Sequence, residues 1–134
     1  MSKKLLPKHE FTVMLDDIRE EKGGKFTLIG LYSKDIIVDF IPTTIAKFCF
    51  FTRLLGGEGQ FNFKFSLKDP DGNEMLTKFS PFQINTSAES HSNLNLTISP
   101  FTIKKEGNYK FAMLLDDKPF YDLTLGIKKG QSQS

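Results

Sequence analysis

From Gln60 to Lys68 the chain alternates without a break: Phe61, Phe63, Phe65 and Leu67 fall on one side, Gln60, Asn62, Lys64, Ser66 and Lys68 on the other. A period of two predicts a strand with one buried and one wet face. Asp69-Pro70-Asp71-Gly72 closes it as a turn, with proline presetting φ and glycine accepting a positive value. Phe11, Val13 and Leu15 alternate with Thr12 and Met14 and predict a first strand ending near Asp16-Asp17. The charged stretch Asp16 to Lys22 leaves room for a short helical turn. Gly23-Gly24 then reverses the chain into a second strand over residues 25–32, where Gly30 marks a bulge or a close backbone approach.

Ile36-Ile37-Val38 is a short β-branched run closed by Pro42. Residues 46–55 are apolar at both parities over Phe48-Cys49-Phe50-Phe51, the pattern of a central strand covered on both sides; a helix is the alternative, but the length and the aromatics favour strand. Gly56-Gly57-Glu58-Gly59 connects flexibly to the Gln60–Lys68 strand, and the turn after it returns the chain through Glu74 to Phe79. Ser80 to Asn93 reads as an irregular stretch with an exposed polar loop over Ser87 to Ser92. Alternation resumes at Leu94, Leu96 and Ile98 and stops at Ser99-Pro100. A last hairpin runs from Asn108 to Leu115, turns over Asp116 to Pro119, and returns over Phe120 to Ile127. The sum is about nine strands with turn signals about every 8–12 residues, the spacing of an all-β sandwich. A basic lead over residues 1–8, one domain over 9–127 and a polar tail over 128–134 complete the expected organisation.

Composition supports this reading. The chain has 14 Phe, three Tyr and no Trp in 134 residues, ample material for a core without metals or disulfides. Lys and Arg nearly balance Asp and Glu, for a formal charge of +2, which argues against a dedicated nucleic-acid binder. The single cysteine, Cys49, sits among phenylalanines and reads as a small buried hydrophobe. The N-terminal lysines lack the apolar run of a signal peptide, and no stretch has the ~20 apolar residues of a membrane span. A soluble cytoplasmic protein is the expectation.

Lys105-Glu106-Gly107-Asn108-Tyr109-Lys110-Phe111 resembles the approach to the sixth strand of immunoglobulin-like domains. There a tyrosine bonds back to upstream backbone two residues before an inward position. Tyr109 matches that tyrosine and Phe111 the inward site, although the disulfide and central tryptophan of antibody domains are missing. The resemblance implies an immunoglobulin-like antiparallel sandwich. Most of residues 10–127 also resembles a family of small, functionally uncharacterised bacterial proteins. The matching segments are Lys25 to Tyr32, Pro42, Gly57-Glu58-Gly59, Leu67 to Gly72 and the Gly107 to Ile127 hairpin. This second resemblance implies a cytoplasmic bacterial or phage-encoded β-sandwich and carries no catalytic residues across.

Candidate chemistry is sparse. Asp69, Asp71 and Asn73 open like a calcium loop, but the glycine is misplaced and no distal glutamate follows, so a turn explains them better. Asp16, Asp17, Asp116 and Asp117 are most simply solvated strand ends. His91 lies near Ser87, Ser90 and Glu89 without the converging geometry of a hydrolase, and His9 stands isolated in the N-terminal lead. Two histidines and one cysteine do not make a zinc site, and the glycine cluster at 56–59 lacks the lysine and helix of a phosphate loop. Gln60, Asn62 and Lys64 with Asn93, Asn95 and Thr97 would make a polar platform if their strands shared a sheet.

No catalytic residue, metal or cofactor is therefore expected. The leading expectation is a non-catalytic module binding an unidentified protein partner through the loops at 83–93 and 56–59 or the edge strand carrying Ile36-Ile37-Val38, with Glu58, Glu89, His91 and Asn93 as candidate loop residues. Phe61, Phe63, Phe65, Tyr109 and Phe111 are the expected structural residues. Exposed sandwich edges also allow a homodimer. The alternative is a sensor or sequestering protein for a small molecule such as a nucleotide signal, with Lys47, Arg53, Lys64 and Lys110 meeting anionic groups.

Overall fold

The computed structural model describes residues 4–33, 35–77 and 79–130. Residues 1–3 of the expected lead and 131–134 of the expected tail lie outside the described residues. Eleven strands form among the described residues, and no helix: β1 (Lys8–Glu20), β2 (Phe26–Tyr32), β3 (Ile36–Val38), β4 (Thr43–Ile45), β5 (Phe48–Leu55), β6 (Gly59–Lys68), β7 (Phe82–Thr86), β8 (His91–Ile98), β9 (Phe101–Ile103), β10 (Gly107–Leu115) and β11 (Lys118–Lys129). They build a four-stranded sheet in the order β2-β1-β5-β8, a five-stranded sheet in the order β3-β11-β10-β6-β7, and the small pair β4-β9.

The all-β expectation holds, and four local expectations are corrected. Residues 16–20 continue β1 instead of forming a helical turn, because Asp17 to Glu20 each pair across to β2, ending at Glu20–Phe26. Segment 74–79 is not a strand. It touches β6 through one bridge, and the Glu74 carboxylate accepts the N–H groups of Leu67 (2.8 Å) and Leu76 (3.1 Å), doing with a side chain what a paired backbone would do. The supposedly irregular 80–93 stretch contains β7 and the start of β8. With the 74–79 strand lost, three unexpected short strands, β4, β7 and β9, bring the count from nine to eleven. The last turn is also tighter than expected: only Asp116 (φ 49°) and Asp117 (φ 65°) lie between Leu115 and Lys118. Positive φ at both central residues matches the twist of the flanking strands.

The main core lies between the sheets. Phe61, Phe63, Phe65 and Leu67 of β6 and Tyr109, Phe111, Met113 and Leu115 of β10 meet Phe48, Phe50 and Leu54 of β5 and Leu94, Leu96 and Ile98 of β8. Phe50 stacks on Phe111 across the gap, ring centroids 4.0 Å apart and 7° from parallel. Each such ring contributes about 1.5–3 kcal/mol by burial alone.

A second, smaller core sits on the back of the four-stranded sheet. Only residues 8–15 of β1 pair with β5, while 14–20 pair with β2, so the β1–β2 hairpin forms an arm beyond the β5 ladder. Phe26 from this arm packs on Phe51 at 5.2 Å, and Leu15, Cys49, Phe11, Val13 and Ile18 join the cluster. The arm is what buries β5 on its second face. Gly30 is required where the arm bends: its φ is +72°, and a Cβ there would overlap the Asp16 carboxylate opposite it.

Candidate functional site

The end of the sandwich near the N-terminus gathers the candidate loops. Leu5 and Glu58 exchange backbone hydrogen bonds of 2.8 Å in both directions, and Gly56 N donates to Ser90 O at 2.8 Å. The 56–59 connection and the 87–90 turn therefore lie side by side. Glu58 and Glu89 are exposed there. Lys4 reaches from the same end to Asp116 at 3.0 Å and lies over the Phe61 ring. The N–H of Asn62 and the Lys4 ammonium together hold the Asp116 carboxyl below its ordinary range. Leu5 and Leu6 are exposed beside these groups.

His91 and Asn93 are corrected from loop to strand. They begin β8, exposed, with Asn95 and Thr97 continuing the same outward row. Their neighbours in sequence, Leu94, Leu96 and Ile98, are buried. The polar platform does not form as a unit. Gln60, Asn62 and Lys64 project from the five-stranded sheet, whereas Asn93, Asn95 and Thr97 belong to the four-stranded sheet.

At the opposite end the tyrosine corner is present. Tyr109 is buried, its hydroxyl donates to Lys105 O at 2.8 Å, and burial pushes its pKa up. The Asp69–Gly72 turn docks against this corner. Gly107 lies so close to the Pro70 ring that a Cβ would come within 2.8 Å, and Lys105 pairs with Asp71. Asp69 accepts the N–H groups of Asn73 and Asp71, each at 2.9 Å, which keeps its carboxyl below the usual range. Those bonds are the turn's own. A cleft of about 320 Å³ between this turn and β9 has an apolar floor of Leu67, Leu76, Ile98 and Phe101.

The four cations expected to meet an anion separate into two groups. Lys47, just before β5, pairs with Asp17 of β1 at 3.0 Å, and Arg53 of β5 pairs with Glu10 of β1 at 3.5 Å. Lys64 and Lys110 instead share a cleft of about 590 Å³ on the five-stranded sheet, with Lys68, Ser66 and Thr124 and with the carboxylates of Glu74 and Asp122. Lys68 stands directly opposite Lys110 in the β6–β10 register.

The four aspartates do not converge. Asp16 accepts the Tyr32 hydroxyl at 2.9 Å, Asp17 holds Lys47, and Asp116 holds Asn62 and Lys4. Burial, with the Asp16 carboxylate beside it, pushes the Tyr32 hydroxyl up to about 12. Among the described residues, no group of three or more His, Cys, Asp and Glu is placed to hold a metal ion. Cys49 is fully buried in the outer cluster, its thiol 3.5 Å from Thr97 Oγ1.

Sequence reasoning missed His9. It lies in β1, half-buried, its ring stacked on Tyr121 of β11 at 3.6 Å and 12°. Its Nε2 is 2.7 Å from Thr12 Oγ1, which is 2.8 Å from Thr52 Oγ1, a hydroxyl with no solvent exposure. Burial lowers the His9 pKa. Thr12 and Thr52 being polar among apolar neighbours was the available signal, but the partner was three residues away in what reads as a lead.

These features define an all-β protein of two main sheets and a small strand pair, whose exposed chemistry lies in loops, strand edges and shallow clefts. The chain belongs to the family of unknown function DUF6941, whose profile matches residues 10–128. No curated protein matches the chain.

Proposed function

We propose that the protein is a non-catalytic binding or assembly module of immunoglobulin-like layout that engages partners through a strand edge. The layout is supported by β1, β5 and β8 lying in one sheet and β6, β10 and β11 in the other. That is how the first, second and fifth strands and the third, sixth and seventh strands of an immunoglobulin domain divide. The Tyr109 corner bond supports it too. A bacterial cytoplasmic setting fits the one buried cysteine and the absence of any disulfide.

The observation that carries the binding reading is the β8 edge. Sheet edges are ordinarily blunted by brevity, bulges, charges or proline. Strand β3 has three residues and β7 five, while the pairing of β2 with β1 is interrupted at Gly30, which has positive φ. Strand β8 has eight residues, His91-Ser92-Asn93-Leu94-Asn95-Leu96-Thr97-Ile98, with no Lys, Arg, Asp, Glu, Gly or Pro. It is the long edge left without a guard among the described residues. Affinity capture from the native host tests this. Loss of a partner in an Asn95→Pro variant supports the edge. Retention of every partner by that variant, by a Glu58→Arg/Glu89→Arg variant and by Ile37→Lys together rejects the module.

A second reading, a sensor for a small anionic molecule, is favoured by Lys68 facing Lys110 in the outer cleft. Like charges directly opposite in a sheet cost roughly 0.2–1 kcal/mol, and an anion between them would reverse that sign. A thermal-shift panel of nucleotides and sugar phosphates discriminates. A saturable rise abolished by Lys110→Glu supports this reading, and flat curves reject it.

A further inference from the structure

We infer that the occupant of the β8 edge is a second copy of this chain, joined antiparallel about a two-fold axis near Leu94 so that two four-stranded sheets become one. The inference rests on the strand-edge reading above and specifies its partner.

The backbone determines which groups are on offer. The bond from Gly56 N to Ser90 O continues the β5–β8 register, in which Leu55 faces His91, Leu54 faces Ser92 and Phe48 faces Ile98. In an antiparallel ladder the positions that exchange bonds with one neighbour alternate with those that turn both groups the other way. Ser92, Leu94, Leu96 and Ile98 therefore bond β5. His91, Asn93, Asn95 and Thr97 turn both N–H and C=O to the open side, and their side chains are exposed. Among the described residues, no backbone group outside β5 bonds to β8.

This edge is complementary to itself. Antiparallel pairing about Leu94 sets Asn93 opposite Asn95 of the second copy and His91 opposite Thr97 of the second copy. Every outward backbone pair is then matched, with two bonds at each. Buried and exposed faces stay in phase, since residues opposite one another share a face. Two features favour this partner over an unrelated peptide. A charged edge would repel its own image, and β8 carries no Lys, Arg, Asp or Glu. The two asparagines that meet across the axis carry both donor and acceptor amides, so each satisfies the other. A closed two-fold pairing also leaves no new edge of β8 for a third copy.

Sedimentation over a wide concentration range, ionic strength varied, tests the inference. The wild-type chain should dimerise with little salt dependence. Asn95→Pro removes an outward N–H that only a partner strand would use, a position where an edge strand tolerates proline. By symmetry it removes the contact twice. The dimer dissociation constant should rise at least about tenfold, with the monomer's circular dichroism unchanged. Oxidation of an Asn93→Cys/Asn95→Cys variant should link two chains, because hydrogen-bonded antiparallel pairs lie about 5.5 Å apart at Cα, within disulfide reach. A wild-type monomer at every concentration overturns the second copy, as does a dimer that Asn95→Pro leaves intact. A monomeric chain whose host partner is still lost in Asn95→Pro would overturn this inference while keeping the strand-edge module. Should Asn95→Pro unfold the monomer, Asn95→Lys gives the same reading, since two lysines would then meet near the axis.

Discussion

The two sheets bury their strands in different ways. The five-stranded sheet has one face in the core and one in water, and β6 shows this as a clean alternation of buried phenylalanines with exposed polar residues. The four-stranded sheet is covered twice around β5, by the main core and by the β1–β2 arm. Phe50 looks inward to Phe111, and the adjacent Phe51 looks outward to Phe26. One strand thus contributes to two cores of unequal size. The larger is held between two sheets, and the smaller rests on a hairpin attached along one side. The arm should open without the sandwich melting.

Substituting the two neighbouring phenylalanines separates the cores. Phe50→Ala should cost about 3–5 kcal/mol in a denaturant titration, with Phe50→Leu as a milder companion, because the inter-sheet gap cannot collapse around the void. Phe51→Ala should cost less, about 2–3 kcal/mol, since the arm can settle onto the space. Cys49 reports the difference. In Phe51→Ala its labelling by a thiol reagent should accelerate far more than global stability accounts for, whereas in Phe50→Ala labelling should track global unfolding. Identical behaviour would mean a single cooperative core.

Gly30→Ala comes next. The added methyl meets Asp16 at a φ of +72°, and the expected cost is about 1–3 kcal/mol, localised to the arm. Adding Asp16→Ala should recover the steric part and leave the backbone part. Full stability of Gly30→Ala would show that the arm is not held by this approach.

The smallest effect is one of pH, at the place where the sheets touch through His9 and Tyr121. Burial lowers the folded-state pKa of His9 below its unfolded value, so the unfolded chain takes up the proton first as pH falls. The contribution of His9 is therefore complete above about pH 6.5 and declines below it until the folded-state pKa is passed. Melting temperatures from pH 8 to pH 5 should fall more for the wild-type chain than for His9→Gln. Equal slopes would mean that the stacked ring titrates freely.

Periodicity made much of this legible. The Phe61, Phe63, Phe65 and Leu67 row and the doubly covered Phe48 to Phe51 segment follow from side-chain type and spacing, because a strand's alternation is a property of the chain itself. The Tyr109 corner was legible through the resemblance of residues 105–111 to immunoglobulin-like domains. Gly30 read as a bulge or a close backbone approach, and what stands against it is the Asp16 side chain. Other features were hidden. Phe11, Val13 and Leu15 read only as one side of a strand, and they line the outer cluster, while Met14 packs on the main core and Thr12 bonds the buried Thr52. Alternation reveals that a face is buried and is silent on what buries it. Strands of three to five residues, β4, β7 and β9, gain their identity from the neighbour that pairs with them.

By itself, then, the amino-acid order determined the all-β character, the core-forming rows and the positions of the main turns, since each depends on interactions between residues close in the chain. Only the tertiary structure decided which strands became edges, that His91 and Asn93 lie on one of them, and that Lys68 faces Lys110 while Lys47 is neutralised elsewhere. Those outcomes depend on pairings between segments tens of residues apart. No local pattern specifies such pairings, because the same alternating strand can serve at the centre of a sheet or at its rim.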